Sequence, residues 1–431
     1  MSLGKKILYV GYDFEQKYYR GISHYSKAVI KATTALGLKN YILASAKHHK
    51  NGILQEALIK KKIYNPTNYA NGRKSQLIYL LKDMIGMHSY SVADQLLYDN
   101  NLEKLVYLND VSGFVNKHSF YDLTVLRARF GLRPSNVSVK GFDYVFATSP
   151  MYVRAGKAKM IQTLHDVIPI LSVSHQVNDN ASIFYARVKK MLENSDAVVS
   201  VSEFSKREIL SIFPQYENKI YVTHQPVPVF SKDLSFMECG GLEDAVLAAN
   251  NLSKKNYLFY VGYIEKRKNI GRIIQAYMAL KNKIDIPLVL AGELDKSDDE
   301  LVRMLRSVKE KKTNIIYLGY VSSMEKMILL KNARAFVFPS LYEGFGLPPI
   351  EAFQLGTPVL TSNVTSLPEV CGDAAVYVDP YDFDSIRHGL TEVANNESLR
   401  AELVRKGNER IDLFSMEKYQ KRLYNVLAAL D

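Results

Sequence analysis

Glu343 and Glu351 bracket the run Gly344-Phe345-Gly346-Leu347-Pro348-Pro349-Ile350, so seven residues lie between the two carboxylates. The apolar residues 335–338 before them read as the end of a buried parallel strand. Gly344 and Gly346 open a loop, because glycine reaches backbone angles that other residues avoid. Pro348 and Pro349 suit a first helical turn, where the missing N–H would be unpaired anyway. Residues 350–355 follow as a helix, with Gly356 as its C-cap. Strand, glycine loop and helix start together aim the backbone N–H groups of Gly344, Phe345, Gly346 and Leu347 at an anion, and the helix dipole adds to the pull. A carboxylate beside a phosphate would repel it, so the two glutamates are matched better to hydroxyls, which are abundant on sugars. A plain helix start favoured by the dipole accounts for Glu351 alone. It does not account for both glutamates and both glycines.

A second candidate pair is His165-Asp166, delivered by a strand over 159–164. Ligands of open α/β sheets bind outside the carboxyl ends of strands. A loop histidine capped by its neighbouring aspartate is the bland alternative. The elements that would position these groups alternate along the chain. A strand followed by a loop is expected over 6–11, with 7–10 as its buried run, and strands over 142–147, 197–201, 219–222, 256–261, 287–291 and 314–318. Helices are expected over 26–36, with Gly21 at its entrance, from Ser202 as N-cap, over 242–250, 270–280, 324–332 and 414–430. Within 40–140 the pattern is weaker: helices at 53–59 and 75–85, a helix start at 94–97 and a short strand at 106–108. The alternation runs twice, which predicts an α/β fold of two Rossmann-like doubly wound domains facing across a cleft. Their expected limits are 1–228 and 257–413, with a linker at 229–256 and a last helix from 414 to 431.

The 431 residues are 47% hydrophobic and 23% charged, an ordinary globular balance with ample core material. Cys239 and Cys371 make neither a disulfide framework nor a metal spacing, which fits a reducing compartment. The apolar run at 7–10 is too short for a signal peptide or a membrane span, so the expected location is the cytoplasm, at the inner face of the membrane. With 56 basic and 44 acidic residues the net charge is +12. No nucleic-acid module accompanies that charge, so its expected partners are anionic ligands and peripheral contact with an anionic membrane.

The run from Glu343 to Glu351 resembles the E-x7-E signature of the retaining glycosyltransferases of family 4, which have the GT-B fold. The resemblance continues through Gly356-Thr-Pro-Val-Leu, residues 366–375 and Asp379-Pro380. Thr163-Leu-His-Asp-Val-Ile-Pro169 is similar to that family's HD segment, and Gly262-Tyr-Ile-Glu-Lys-Arg-Lys-Asn269 to its donor loop. The resemblance implies transfer of a hexose from a nucleotide-sugar donor to a glycan or lipid-linked oligosaccharide acceptor, with retention and without a metal or other cofactor.

It also implies roles. Gly21 faces acceptor and donor phosphates. His165 and Asp166 lie near the transferred sugar. Gly262, Arg267, Lys268 and Gly292 line the diphosphate, and Tyr320 and Val321 hold the base through their backbone. Glu343 positions the sugar and Glu351 the ribose. Tyr263 departs from the family, whose members often carry an arginine there. The 264–269 form resembles bacterial mannosyltransferases, which implies GDP-mannose ahead of a UDP-sugar and a place in surface polysaccharide assembly. A catalytically silent subunit and a GT-B sugar-nucleotide epimerase are the alternatives. Asp382-Phe-Asp384 matches a metal motif of another glycosyltransferase fold, but precedes a helix, so Asp384 is expected as an N-cap.

Overall fold

In the computed structural model, the described residues are 4–15, 21–46, 91–93, 109–117, 119–137, 140–171, 181–227, 241–280, 283–310 and 313–431. The expected elements at 53–59, 75–85, 94–97 and 106–108 lie outside them. The chain divides into two compact units. Unit 1 is Met1–Val201, Lys206–Pro226 and Met416–Asp431, and unit 2 is Ser202–Ser205 and Val227–Ser415.

Unit 1 is built on strands β1 (Lys6–Val10), β2 (Lys39–Ala44), β3 (Ser91–Ala93), β4 (Gly113–Asn116), β6 (Tyr144–Ala147), β8 (Lys159–Leu164), β9 (Ala197–Ser200) and β10 (Ile220–Val222). A two-stranded pair, β5 (Ser135–Asn136) and β7 (Val153–Arg154), stands apart. The large sheet runs β10-β9-β8-β6-β1-β2-β4-β3 and is parallel except for β3. Its inner strands are near-continuous apolar runs because both faces are covered by helices, as parallel sheets require. Helix α1 (Gly21–Ala35) starts earlier than expected, with Gly21 as its first residue. The last helix of the chain (Met416–Ala428) buries Tyr419, Leu423 and Leu427 in the core that holds Tyr25, Val29 and Ile30 of α1. It starts at Met416 and not at 414, because Phe414 ends a 3-10 turn that Ser415 closes. Asp431 holds the chain end, 2.5 Å from Lys5 Nζ.

Unit 2 has six parallel strands, β11 (Leu258–Val261), β12 (Leu288–Ala291), β13 (Ile315–Gly319), β14 (Ala335–Phe338), β15 (Val359–Ser362) and β16 (Ala375–Val378). Their order, β13-β12-β11-β14-β15-β16, is the doubly wound 3-2-1-4-5-6 pattern. The sheet changes winding direction between β11 and β14, so the loops after these two strands flank its topological switch point. Helix 242–249, within the segment read as a linker, belongs to unit 2. One capping assignment is corrected. Asp382 is the N-cap of helix 383–395 and accepts from the Asp384 amide at 2.9 Å, while Asp384 sits inside the first turn and bonds Arg387. Asp382 has the extended backbone that an N-cap needs, and Asp384 is already helical.

Candidate active site

The switch point of unit 2 gathers the donor-loop cations and one of the two glutamates. After β11 the chain makes a 3-10 turn, Lys266–Lys268, that presents Arg267 and Lys268. Asn269 ends it in a left-handed conformation, and its side-chain amide donates to the carbonyls of Pro339 (3.0 Å) and Pro380 (2.8 Å). The turn is therefore pinned to the loop after β14. Backbone bonds add to this, since the Leu341 amide donates to the Arg267 carbonyl at 2.9 Å.

Glu343 projects from that second loop and binds both cations. Lys268 Nζ lies 2.5 Å from Oε1, and Arg267 Nη1 lies 3.3 Å from Oε2. Arg267 also donates to the Tyr342 carbonyl at 2.7 Å and pairs with Glu265 at 2.6 Å. All three charged side chains are largely buried, 11% to 18% exposed. Burial would push the Glu343 carboxyl up, but Lys268 and Arg267 outweigh it and hold the group below its usual range. Burial depresses the Lys268 ammonium, and Glu343 recovers only part of that. A buried ion pair persists when each charge is satisfied by others, and here two cations share two carboxylates.

The glycine loop beside them is held by its carbonyls. Ser366 Oγ donates to the carbonyls of Glu343 (2.9 Å) and Phe345 (2.7 Å). Ser202 and Ser205 donate to that of Gly344, at 2.6 and 2.9 Å. Fixing the carbonyls of 343–345 fixes their peptide planes, and so the direction of the amides of residues 344–346. Gly346 has φ +108, and a Cβ there would lie 2.8 Å from Leu367. It is the N-cap of helix 347–354, which begins at Leu347 with Pro348 in its first turn. The helix therefore starts three residues before the expected 350. Its C-cap is Leu355, with Gly356 left-handed one residue beyond.

Glu351 sits on that helix, 6% exposed, and pairs with Lys326 at 2.7 Å. Glu343 and Glu351 thus have separate cationic partners. Gly292 follows β12 where a Cβ would stand 1.8 Å from the Gly262 carbonyl oxygen, so only glycine lets these two loops approach. At the neighbouring strand end Tyr320 is 74% exposed, next to Val321, and Tyr317 donates to the Gly292 carbonyl at 3.1 Å.

Arg267, Lys268, Glu343, Gly262, Gly292 and residues 344–347 therefore all come from loops at the carboxyl ends of the unit 2 strands. Sequence reasoning missed Glu265, Lys326, Ser366 and the Tyr342 carbonyl. Glu265 had a signal, since it stands two residues before Arg267. Lys326 had none, because its partner lies 25 residues away.

His165 and Asp166 belong to unit 1, at the end of β8. His165 Nε2 lies 2.9 Å from the Thr148 carbonyl, which can only accept, so Nε2 carries the hydrogen. Nδ1 then accepts from Gln225 Nε2 at 3.3 Å. Burial pushes the imidazole down to about 4. Asp166 Oδ1 accepts from the Ile168 amide at 3.1 Å, closing a turn. Both nitrogens of this neutral imidazole are thus engaged by groups of unit 1.

Its folded pKa lies below the ordinary value near 6.5, so the unfolded chain takes up the proton first as pH falls. Stability should be level above about pH 6.5 and decline toward pH 4, by at most about 3 kcal/mol from this residue. Urea unfolding between pH 4.5 and 7.5 checks it. The wild-type slope should be steeper than that of His165→Gln, and parallel slopes would contradict the assignment.

Residues 244–410 match the family described as glycosyl transferases group 1. The O-antigen chain mannosyltransferase B of Escherichia coli is 32% identical over 291 residues, spanning 67% of this chain and 75% of that protein. The chain is a group 1 glycosyltransferase. The serotype-specific mannosyltransferase WbdA of E. coli is 28% identical over 249 residues, 57% of this chain, and the match spans only 30% of WbdA's length. Among solved structures, Anabaena HepE in complex with UDP and glucose aligns with a TM-score of 0.60 at 13% identity, over 99% of this chain and 100% of that one. At that identity the likeness concerns the fold, and the transferase has the GT-B fold of two Rossmann-like units.

Proposed function

We propose that the transferase moves a mannosyl unit from GDP-mannose to a growing glycan in bacterial surface polysaccharide assembly, with retention at the anomeric carbon and without a divalent metal. The observation that carries this reading is the cluster of Arg267 and Lys268 around Glu343 at the switch point of unit 2. Relatives named as O-antigen mannosyltransferases support the choice of sugar and product class. As the bond from the anomeric carbon to the β-phosphate oxygen breaks, negative charge builds on the diphosphate. Arg267, Lys268 and the amides of residues 344–347 meet that charge, as donors in an oxyanion hole do. The two cations supply the positive charge that a metal would otherwise bring. Glu343 accepts hydroxyls of the transferred sugar, and Glu351 accepts those of the ribose.

The test is a donor panel read by protection against thermal unfolding, followed by transfer assays in EDTA. GDP-mannose should protect best, and a ligand at a hundred times its Kd adds about 2.7 kcal/mol. Stronger protection by a UDP-sugar would replace the donor. Activity abolished by EDTA and restored by manganese would remove the metal-independent mechanism.

Glu351→Ala should weaken GDP binding by about 1.5–3 kcal/mol, the loss of a hydrogen bond to a charged group. Calorimetry with GDP alone measures this. Unchanged affinity would take Glu351 out of the ribose site.

A further inference from the structure

Unit 1 has its own topological switch point. From β1 the chain builds the sheet through β2 and β4 on one side, then through β6, β8, β9 and β10 on the other. The crevice between β1 and β6 is where a doubly wound sheet takes its ligand. Asp13 stands there, in the 3-10 turn Tyr12–Glu15 that follows β1. Its Oδ1 accepts from Thr148 Oγ1, at the end of β6, at 2.7 Å. Ser26 of α1 also bonds the carboxyl. The side chain is 8% exposed, and Oδ2 is buried with no hydrogen-bond partner among the described residues. Gly11 makes this approach possible, because a Cβ there would come within 2.2 Å of Thr148 Oγ1 and 2.4 Å of Asp13 Oδ1.

We propose that Asp13 is an acceptor-binding residue whose Oδ2 takes a hydroxyl of the sugar that receives the glycosyl group. This rests on the glycosyl-transfer reading above. A buried carboxylate oxygen without a donor costs free energy, so one kept in a native protein calls for a reason, and a functional role is among them. Burial raises the Asp13 carboxyl above its ordinary range, so the site disfavours the bare charge and gains most from an added donor. The charge also selects the ligand. A carboxylate repels phosphate and accepts from hydroxyls, and Thr148 and Ser26, which hold it, are neutral. The donor diphosphate is matched to Arg267 and Lys268 of unit 2, and a hydroxyl-rich acceptor to Asp13.

The experiment uses the full chain, GDP-mannose as donor and octyl α-D-mannopyranoside as acceptor probe. Asp13→Asn keeps the shape and the bond to Thr148 but removes the charge. It should raise KM for the mannoside about tenfold, the loss of one charge-assisted bond. The Kd for GDP should stay within twofold, and Tm should not fall. Asp13→Ala should raise KM further, and Thr148→Val, which frees Oδ1, should raise it less than Asp13→Asn does. An unchanged mannoside KM in Asp13→Asn overturns the proposal. So does a KM rise accompanied by a lower Tm and an equal loss of GDP affinity, since that pattern describes a structural residue. Failure of the wild type to bind GDP counts against the donor reading instead and is measured separately.

Discussion

Glu343→Gln should lower the stability of unit 2 by about 3–5 kcal/mol in nucleotide-free buffer, and GDP should restore much of it. Removing one partner of a buried pair leaves the others uncompensated, and that penalty sets the size. Two cations lose their shared carboxylate here, although Arg267 keeps Glu265 and the Tyr342 carbonyl. In a unit of this size, each kcal/mol moves Tm by roughly 2–4 °C, so the drop should be readily measured. GDP brings negative charge to Lys268, so its affinity should hold or rise while kcat falls. That split separates Glu343 from a residue that binds nucleotide and transition state alike. A variant with wild-type Tm in nucleotide-free buffer would show that the carboxylate does not sustain the two cations. One that loses GDP affinity would reverse the assignment of the sugar to Glu343.

Lys268→Ala should lower kcat by about 10²–10³, the usual loss when one preorganised donor to a developing oxyanion is removed. Preorganisation is the reason for expecting a large effect. The ammonium lies 2.5 Å from Glu343 and 5.0 Å from the Phe338 ring centroid, and its turn is pinned by Asn269. A side chain already in place reorganises little as the leaving group develops charge. Stability should suffer less than in Glu343→Gln, because Glu343 keeps Arg267. Single-turnover rates with saturating GDP-mannose isolate the step. A kcat within threefold of wild type would move the leaving-group role to Arg267 and the amides.

Much of this protein could be read along the chain. The parallel strands announce themselves as short apolar runs, so β8 and β14 fall at the expected residues. The loop between Glu343 and Glu351 shows its glycines and prolines at the positions where a strand must turn into a helix, and the donor cations are written as consecutive residues. These are local signals, set by backbone preference and by burial on both faces of a sheet.

What only the tertiary structure decided is pairing across distance. Lys268 meets Glu343 because β11 and β14 are neighbours in a sheet whose order no local pattern encodes, although the two stand 75 positions apart in the chain. Glu351 finds Lys326, and Asp13 finds Thr148 across the crevice between β1 and β6, for the same reason. Asp382 displaced Asp384 as the cap because two nearby aspartates have equal local claims, and only the backbone angles of the finished helix select one. Side-chain chemistry declares what each residue can do. Strand order determines which of them meet, because closing the sheet brings distant loops to one edge.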